Sequence, residues 1–153
     1  MNKKLIVKDI FFDLDHTLWD FDKNSMLAFK RVFKKFKITI ELDTFLKIYE
    51  PINVEYWKKY REDKVSKENL RRGRLIDSFN FFDLIYTTKK IDEIADAYIQ
   101  ELPFDNHLFE GAVEILDYLI LKYKLHIITN GFEEVQHKKL KNSGIYHYFS
   151  TIN

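Results

Sequence analysis

The chain opens on a short apolar run, Leu5 to Phe12, broken only by Lys8-Asp9 and ended by a cluster of acids. A buried strand running into a polar loop is the natural reading. No other strand-like run is convincing until Leu125. Whatever pairs with the first strand therefore lies far along the chain, and the residues between must form something of their own.

From about Asn24 to about Leu102 the pattern is helical. Ala28, Val32, Phe33 and Phe36 recur at helical spacing among basic residues, with Asp22, Asn24 or Ser25 available as cap. Leu42 to Glu50 reads as a second helix stopped by Pro51, and Pro51 as the first turn of a third that runs to about Glu62. Ser66 is placed to cap a fourth, Lys67 to about Phe79. A fifth, Ile91 to Leu102, carries Ile91, Ile94, Ala95, Tyr98 and Leu102 on one face and is halted by Pro103.

The pattern then changes. Gly111 opens a helix that ends near Lys122, and Leu125 to Thr129 is a short apolar strand punctuated by Asn130-Gly131. Glu133 to Asn142 is a lysine-rich helix stopped by Gly144, and Tyr148 to Ile152 begins a third strand. Strands alternating with helices predict an α/β chain with a parallel sheet and crossover helices, plus a helical module inserted after the first strand.

Composition narrows the classes. Hydrophobic residues at 46% and aromatics at 16% support a packed interior, so disorder is not expected. With 25 basic against 24 acidic residues, no basic surplus argues for a nucleic-acid or membrane partner. Cysteine is absent, which excludes disulfides, thiolate catalysis and zinc–thiolate sites. Nothing approaches the roughly 18 apolar residues of a membrane span, and Met1 to Lys4 does not lead into a signal-peptide core. The expectation is a soluble cytoplasmic protein.

The most informative segment is Phe11-Phe12-Asp13-Leu14-Asp15-His16-Thr17-Leu18. Asp13 and Asp15, two residues apart past an apolar strand, point the same way if the backbone stays extended. Crowding them is costly unless a cation intervenes or one is protonated. Magnesium suits such oxygen ligands, and a protonated second acid can donate to a leaving group. A plain solvated loop also accommodates paired aspartates, and spacing alone does not decide. Further on, Leu125-His126-Ile127-Ile128-Thr129-Asn130-Gly131 sets a hydroxyl at a strand end before a glycine-containing turn. The hydroxyl and the turn's N–H groups can donate to phosphate oxygens, although an ordinary strand-to-helix turn accounts for the same residues.

A hydrophobic strand followed by Asp-x-Asp-x-Thr-Leu resembles the first motif of the haloacid dehalogenase superfamily, and Thr129 with its turn resembles the second. The resemblance implies a Rossmann-like three-layer α/β core, residues 1–17 and 106–153, with a helical cap over 18–105. It implies magnesium-dependent phosphomonoester hydrolysis through an aspartyl-phosphate. Asp13 would be the nucleophile, Asp15 the general acid and then base, and Thr17 a support for the loop. Thr129, Asn130 and Gly131 would hold the phosphate. The metal would sit on the Asp13 carboxylate and the Asp15 backbone carbonyl. The segment from Asp15 to Asp22, the helical insert, His107 to Gly111 and Ile128 to Phe132 are similar to the 5′-nucleotidases that clear unusual pyrimidine nucleotides. A small phosphorylated metabolite, a nucleotide first, is the implied substrate. A dehalogenase is disfavoured by Asp15; a phosphomutase and a non-catalytic fragment are the remaining rivals.

The superfamily's third motif, a lysine, and fourth, an acidic group, follow the third strand, whereas this sequence stops at Asn153. The expectation is an incomplete core, weak or absent magnesium binding, and an apolar first-strand edge that leaves these residues unstable alone, self-associating or accompanied by further chain. The remaining candidates are read as structural. Lys138, Lys139 and Lys141 form a solvated helix face. Arg71, Arg72 and Arg74 face solvent or form salt bridges. His16 is a loop residue, while Trp19, Phe21 and Phe132 pack apolar surface. His107 and His126 have no metal-like spacing.

Overall fold

A computed structural model of the chain describes residues 5–153. It has a three-stranded sheet: β1 (Asp9–Phe12), β2 (Lys124–Ile127) and β3 (Phe149–Ile152). The helices are α1 (Phe21–Lys35), α2 (Leu42–Arg61), α3 (Lys67–Phe81), α4 (Thr88–Glu101), α5 (Ala112–Ile120) and α6 (Glu133–Asn142), with a 3₁₀ turn over Tyr146–Tyr148. The chain divides into two compact units, one of residues up to Asn24 with Pro103–Asn153, the other Ser25–Leu102. The first division falls inside α1. No helix among the described residues is long and apolar enough to cross a membrane.

The first unit is the sheet unit. Its strands run parallel in the order β1-β2-β3, with Phe12 opposite Ile127 and Ile127 opposite Ile152. The pairing of β2 with β3 is irregular between Leu125 and His126. β2 is central, and its Leu125 and Ile127 are fully buried together with Leu14, Trp19, Leu116 and Leu140. The strand at the front is shorter than its apolar run. Leu5, Ile6 and Val7 precede β1 and are 95%, 77% and 60% exposed. The ladder with β2 starts at Asp9, opposite Lys124, where the crossover from α5 enters the sheet. His126 is held by Thr151 Oγ1 (2.7 Å) and Asp9 Oδ1 (2.8 Å), so it bridges all three strands.

The second unit is four helices around an aromatic core. Phe29, Phe45 and Phe79 are fully buried, and Phe29 stacks on Tyr98 with centroids 4.2 Å apart. Ser66 caps α3 by accepting the Asn69 N–H, as its place before the helix predicts, and Glu41 and Thr87 cap α2 and α4. Gly73 lets α3 approach α2, because a Cβ there would lie 2.4 Å from the Tyr56 hydroxyl.

Two expectations fail in this unit. Residues 42–61 form one helix, not two, with Pro51 inside it. Proline removes one N–H, and the Lys47 carbonyl it leaves lies at a position where both residues are exposed and water can reach. Arg74 is not on the surface: it is 3% exposed and donates to Asn53 Oδ1 at 3.0 Å. Arg72 is salt-bridged, to Asp92 at 2.6 Å and Glu68 at 2.8 Å.

Candidate active site

Because β1 and β2 are parallel and in register, the segments that leave them emerge at the same end of the sheet. Asp13 follows β1 there, and Thr129 lies just past β2. The Ile128 N–H donates to the Phe12 carbonyl (2.9 Å), and the Thr129 N–H to the Asn153 carbonyl (2.9 Å), which carries the sheet's bonding up to the two candidate loops. Ligand sites in open α/β sheets lie off this end.

The loop after β1 is a tight knot. The Leu14 carbonyl accepts the N–H groups of Thr17 (3.3 Å), Leu18 (3.0 Å) and Trp19 (2.9 Å), and the His16 N–H donates to Trp19 O (3.0 Å). Leu14, Leu18 and Trp19 anchor the knot in the core, which leaves Asp13, His16 and Thr17 exposed. His16 takes a left-handed φ of 62°, a conformation uncommon for residues other than glycine but one that histidine, like Asn and Asp, adopts more readily than most. Its ring lies 4.0 Å from the exposed Asp22 carboxylate. Asp13 Oδ1 accepts the Leu14 N–H at 2.8 Å.

Asp15 is differently placed. Its carboxylate is held through both oxygens: Oδ1 by Lys139 Nζ at 2.8 Å and Oδ2 by Gln136 Nε2 at 3.0 Å. Gln136 Nε2 also donates to Thr129 Oγ1 at 2.8 Å, so both amide hydrogens are used. The Gly131 N–H donates to the same hydroxyl oxygen at 3.2 Å. A hydroxyl has two lone pairs and one hydrogen, and here both lone pairs are taken. The Thr129 hydrogen is left to donate elsewhere. Gly131 is required for this net, because a Cβ there would sit 2.4 Å from the Gln136 side chain. Asn130 is exposed beside it.

The reading of Lys139 as part of a solvated face is thus overturned. On α6, Val135, Gln136, Lys139 and Leu140 share the inward face, and Lys139 is 2% exposed with its ammonium 4.3 Å over the Trp19 ring. Lys138 and Lys141 do face outward. Sequence reasoning missed Gln136 altogether. The signal was there: positions 135, 136, 139 and 140 are one helical stripe, and Val135 and Leu140 mark it as the buried one. Of the paired aspartates, Asp15 alone takes Lys139 as a cation, while Asp13 accepts the Leu14 N–H.

Among the described residues no group of three or more His, Cys, Asp or Glu side chains is placed to hold a metal ion. The Asp13 carboxylate is exposed, however, and with the Asp15 backbone carbonyl it offers hard oxygen donors. Magnesium commonly binds through one or two carboxylates and keeps several waters, so this donor set fits part of such a site. The Asp15 side chain is turned instead to Lys139 and Gln136.

A parallel three-stranded sheet with crossover helices, carrying an acidic loop after its first strand and a hydroxyl turn after its second, makes a Rossmann-like α/β core. The family model for haloacid dehalogenase-like hydrolases matches residues 10–153, and the chain belongs to that family. It is 31% identical to the pyrimidine 5′-nucleotidase PynA of Streptococcus pneumoniae, over 97% of this chain and 61% of that protein. It is 27% identical to the pyrimidine 5′-nucleotidase YjjG of Escherichia coli, over 94% of this chain and 60% of that protein. The crystal structure of the HAD-hydrolase YfnB from Bacillus subtilis, bound to magnesium, superposes with a TM-score of 0.84 at 25% identity, over 97% of this chain and 63% of that one. The chain thus spans about 60% of the length of the curated relatives it matches.

Proposed function

We propose that this chain belongs to a magnesium-dependent phosphomonoester hydrolase that works through an aspartyl-phosphate, with a nucleoside 5′-monophosphate as substrate. The observation that carries this is the meeting of Asp15 and Thr129 through Gln136, at the sheet end where Asp13 also emerges. Nucleotidase relatives support the substrate class.

Asp13 attacks phosphorus with a carboxylate oxygen, and the bond to the leaving oxygen breaks as Asp15 gives that oxygen its proton. A water then attacks the phosphorus of the acyl phosphate. Its proton passes to Asp15, the bond from phosphorus to Asp13 breaks, and both acids are restored. Thr129 donates its free hydrogen to a phosphate oxygen, and Asn130 and Gly131 shape the turn that receives the phosphate. Magnesium, held by Asp13 and the Asp15 backbone carbonyl, would screen charge between the nucleophile and the phosphate. In this reading the sheet unit is the catalytic core, the helical unit is the cap, and the protein works in the cytoplasm. β1 has no strand on its outer side among the described residues, and such an edge suits self-association.

The test is turnover of a pyrimidine nucleoside 5′-monophosphate with magnesium by wild type and Asp13→Asn. The variant is expected to lose essentially all activity, and equal turnover by the two would refute the nucleophile.

A further inference from the structure

Lys139 is an ammonium withdrawn almost wholly from water. That is costly, and such a group persists where other groups offset the cost. The Asp15 carboxylate does so at 2.8 Å, with the rings of Trp19 and Phe21 at 4.3 Å and 5.3 Å. For stability alone an apolar side chain of similar volume serves at least as well as a buried ion pair. Helix α6 uses Val135 and Leu140 on the same stripe, so the ammonium at 139 calls for a reason other than packing. Gln136 points the same way. It is 1% exposed, it uses both amide hydrogens on Asp15 and Thr129, and its side chain passes through space that only a glycine at 131 leaves open.

We propose that Gln136 and Lys139 are positioning residues. One turn of α6 grips the two oxygens of Asp15 and ties the same carboxylate to the Thr129 hydroxyl, so the second acid and the phosphate-binding turn are aligned as one piece. This rests on the hydrolase reading above. Its consequence differs between the two half-reactions. In the first, a leaving group such as p-nitrophenolate departs without needing a proton. In the second, the attacking water must lose its proton to Asp15 whatever the substrate was. A loosened Asp15 therefore slows breakdown of the aspartyl-phosphate more than its formation from an activated ester.

The experiment is rapid mixing of the full chain and magnesium with p-nitrophenyl phosphate, alongside steady-state turnover of a pyrimidine nucleoside 5′-monophosphate. Lys139→Met is expected to lose kcat roughly 10²-fold with KM unchanged or lower, as misplacement of a reacting group does. It is also expected to release a burst of about one equivalent of nitrophenolate, the mark of a trapped covalent intermediate, where wild type shows none. Lys139→Arg should recover part of the rate. Gln136→Met keeps the ion pair and guards against a variant that does not fold; it should lose kcat about tenfold with the same burst. Wild-type kcat in either Met variant, a loss confined to KM, or a loss without a burst overturns the positioning role while leaving an active hydrolase in place. A wild type that turns over neither ester, and no better than Asp13→Asn, removes the hydrolase reading and this proposal with it.

Discussion

Each compact unit takes a long basic side chain out of water, and the two solve the problem in opposite ways. In the sheet unit Lys139 meets a carboxylate, and the amide next to it completes a net in which donors and acceptors are matched. In the helical unit Arg74 meets an amide oxygen and the face of Tyr98, 5.4 Å from the guanidinium, and no carboxylate. Its Nε has no hydrogen-bond partner among the described residues, and the Tyr49 hydroxyl near it is buried. Burial also holds the Tyr49 hydroxyl well above its ordinary pKa. A buried cation paired with an acid fixes the direction of that acid. One paired with neutral groups fixes only its own place. Under the proposed hydrolase reading, the first arrangement would hold a reacting acid in place, while the second packs helices.

The largest test of that contrast lies in the helical core. Phe45→Ala removes a fully buried ring in contact with Phe29, Phe33 and Phe79, and should cost about 3–5 kcal/mol by urea unfolding. A much smaller loss would mean that the aromatic cluster is not what holds this unit. Next come the cations themselves. Lys139→Met strands a half-buried carboxylate and should cost about 1–2 kcal/mol, discounted for the water that still reaches Asp15. Arg74→Met should change unfolding by less than about 1 kcal/mol, or stabilise, because no charge is orphaned. Equal losses in the two Met variants would break the comparison. The smallest effect concerns surface. The sheet unit exposes Phe11 (57%), Tyr118 (54%) and Leu121 (83%), and β1 has no strand on its outer side among the described residues. Size-exclusion elution that shifts with protein concentration, and shifts less in Phe11→Lys, is the expected outcome. An elution volume independent of concentration would count against pairing through that edge.

Much of this architecture is legible in the residues. The bounds of α6, the cap at Ser66 and the third strand follow from local chemistry: turn residues, a hydroxyl before a helix, and a change of period. The parallel order of the sheet follows from the alternation of strands and helices. What did not show were features decided by tertiary contact. Pro51 looks like a break until both faces of the helix are known. Arg74 and Lys139 look like surface residues because lysine and arginine usually are, and only the stripe they share with apolar neighbours says otherwise. Of the proposed site, Asp13, Asp15 and Thr129 were singled out by the family resemblance, since their spacing alone also fits an ordinary loop and turn. Gln136 had no local motif. Its role exists only because Gly131 leaves a channel for it.

The hydroxyl at 129 has one more consequence. With its lone pairs filled by Gln136 and Gly131, it presents only hydrogen to an incoming molecule. Acceptor atoms are welcomed there and donor atoms are turned away. In the proposed site, such a neutral position would sort ligands by polarity with no charge of its own.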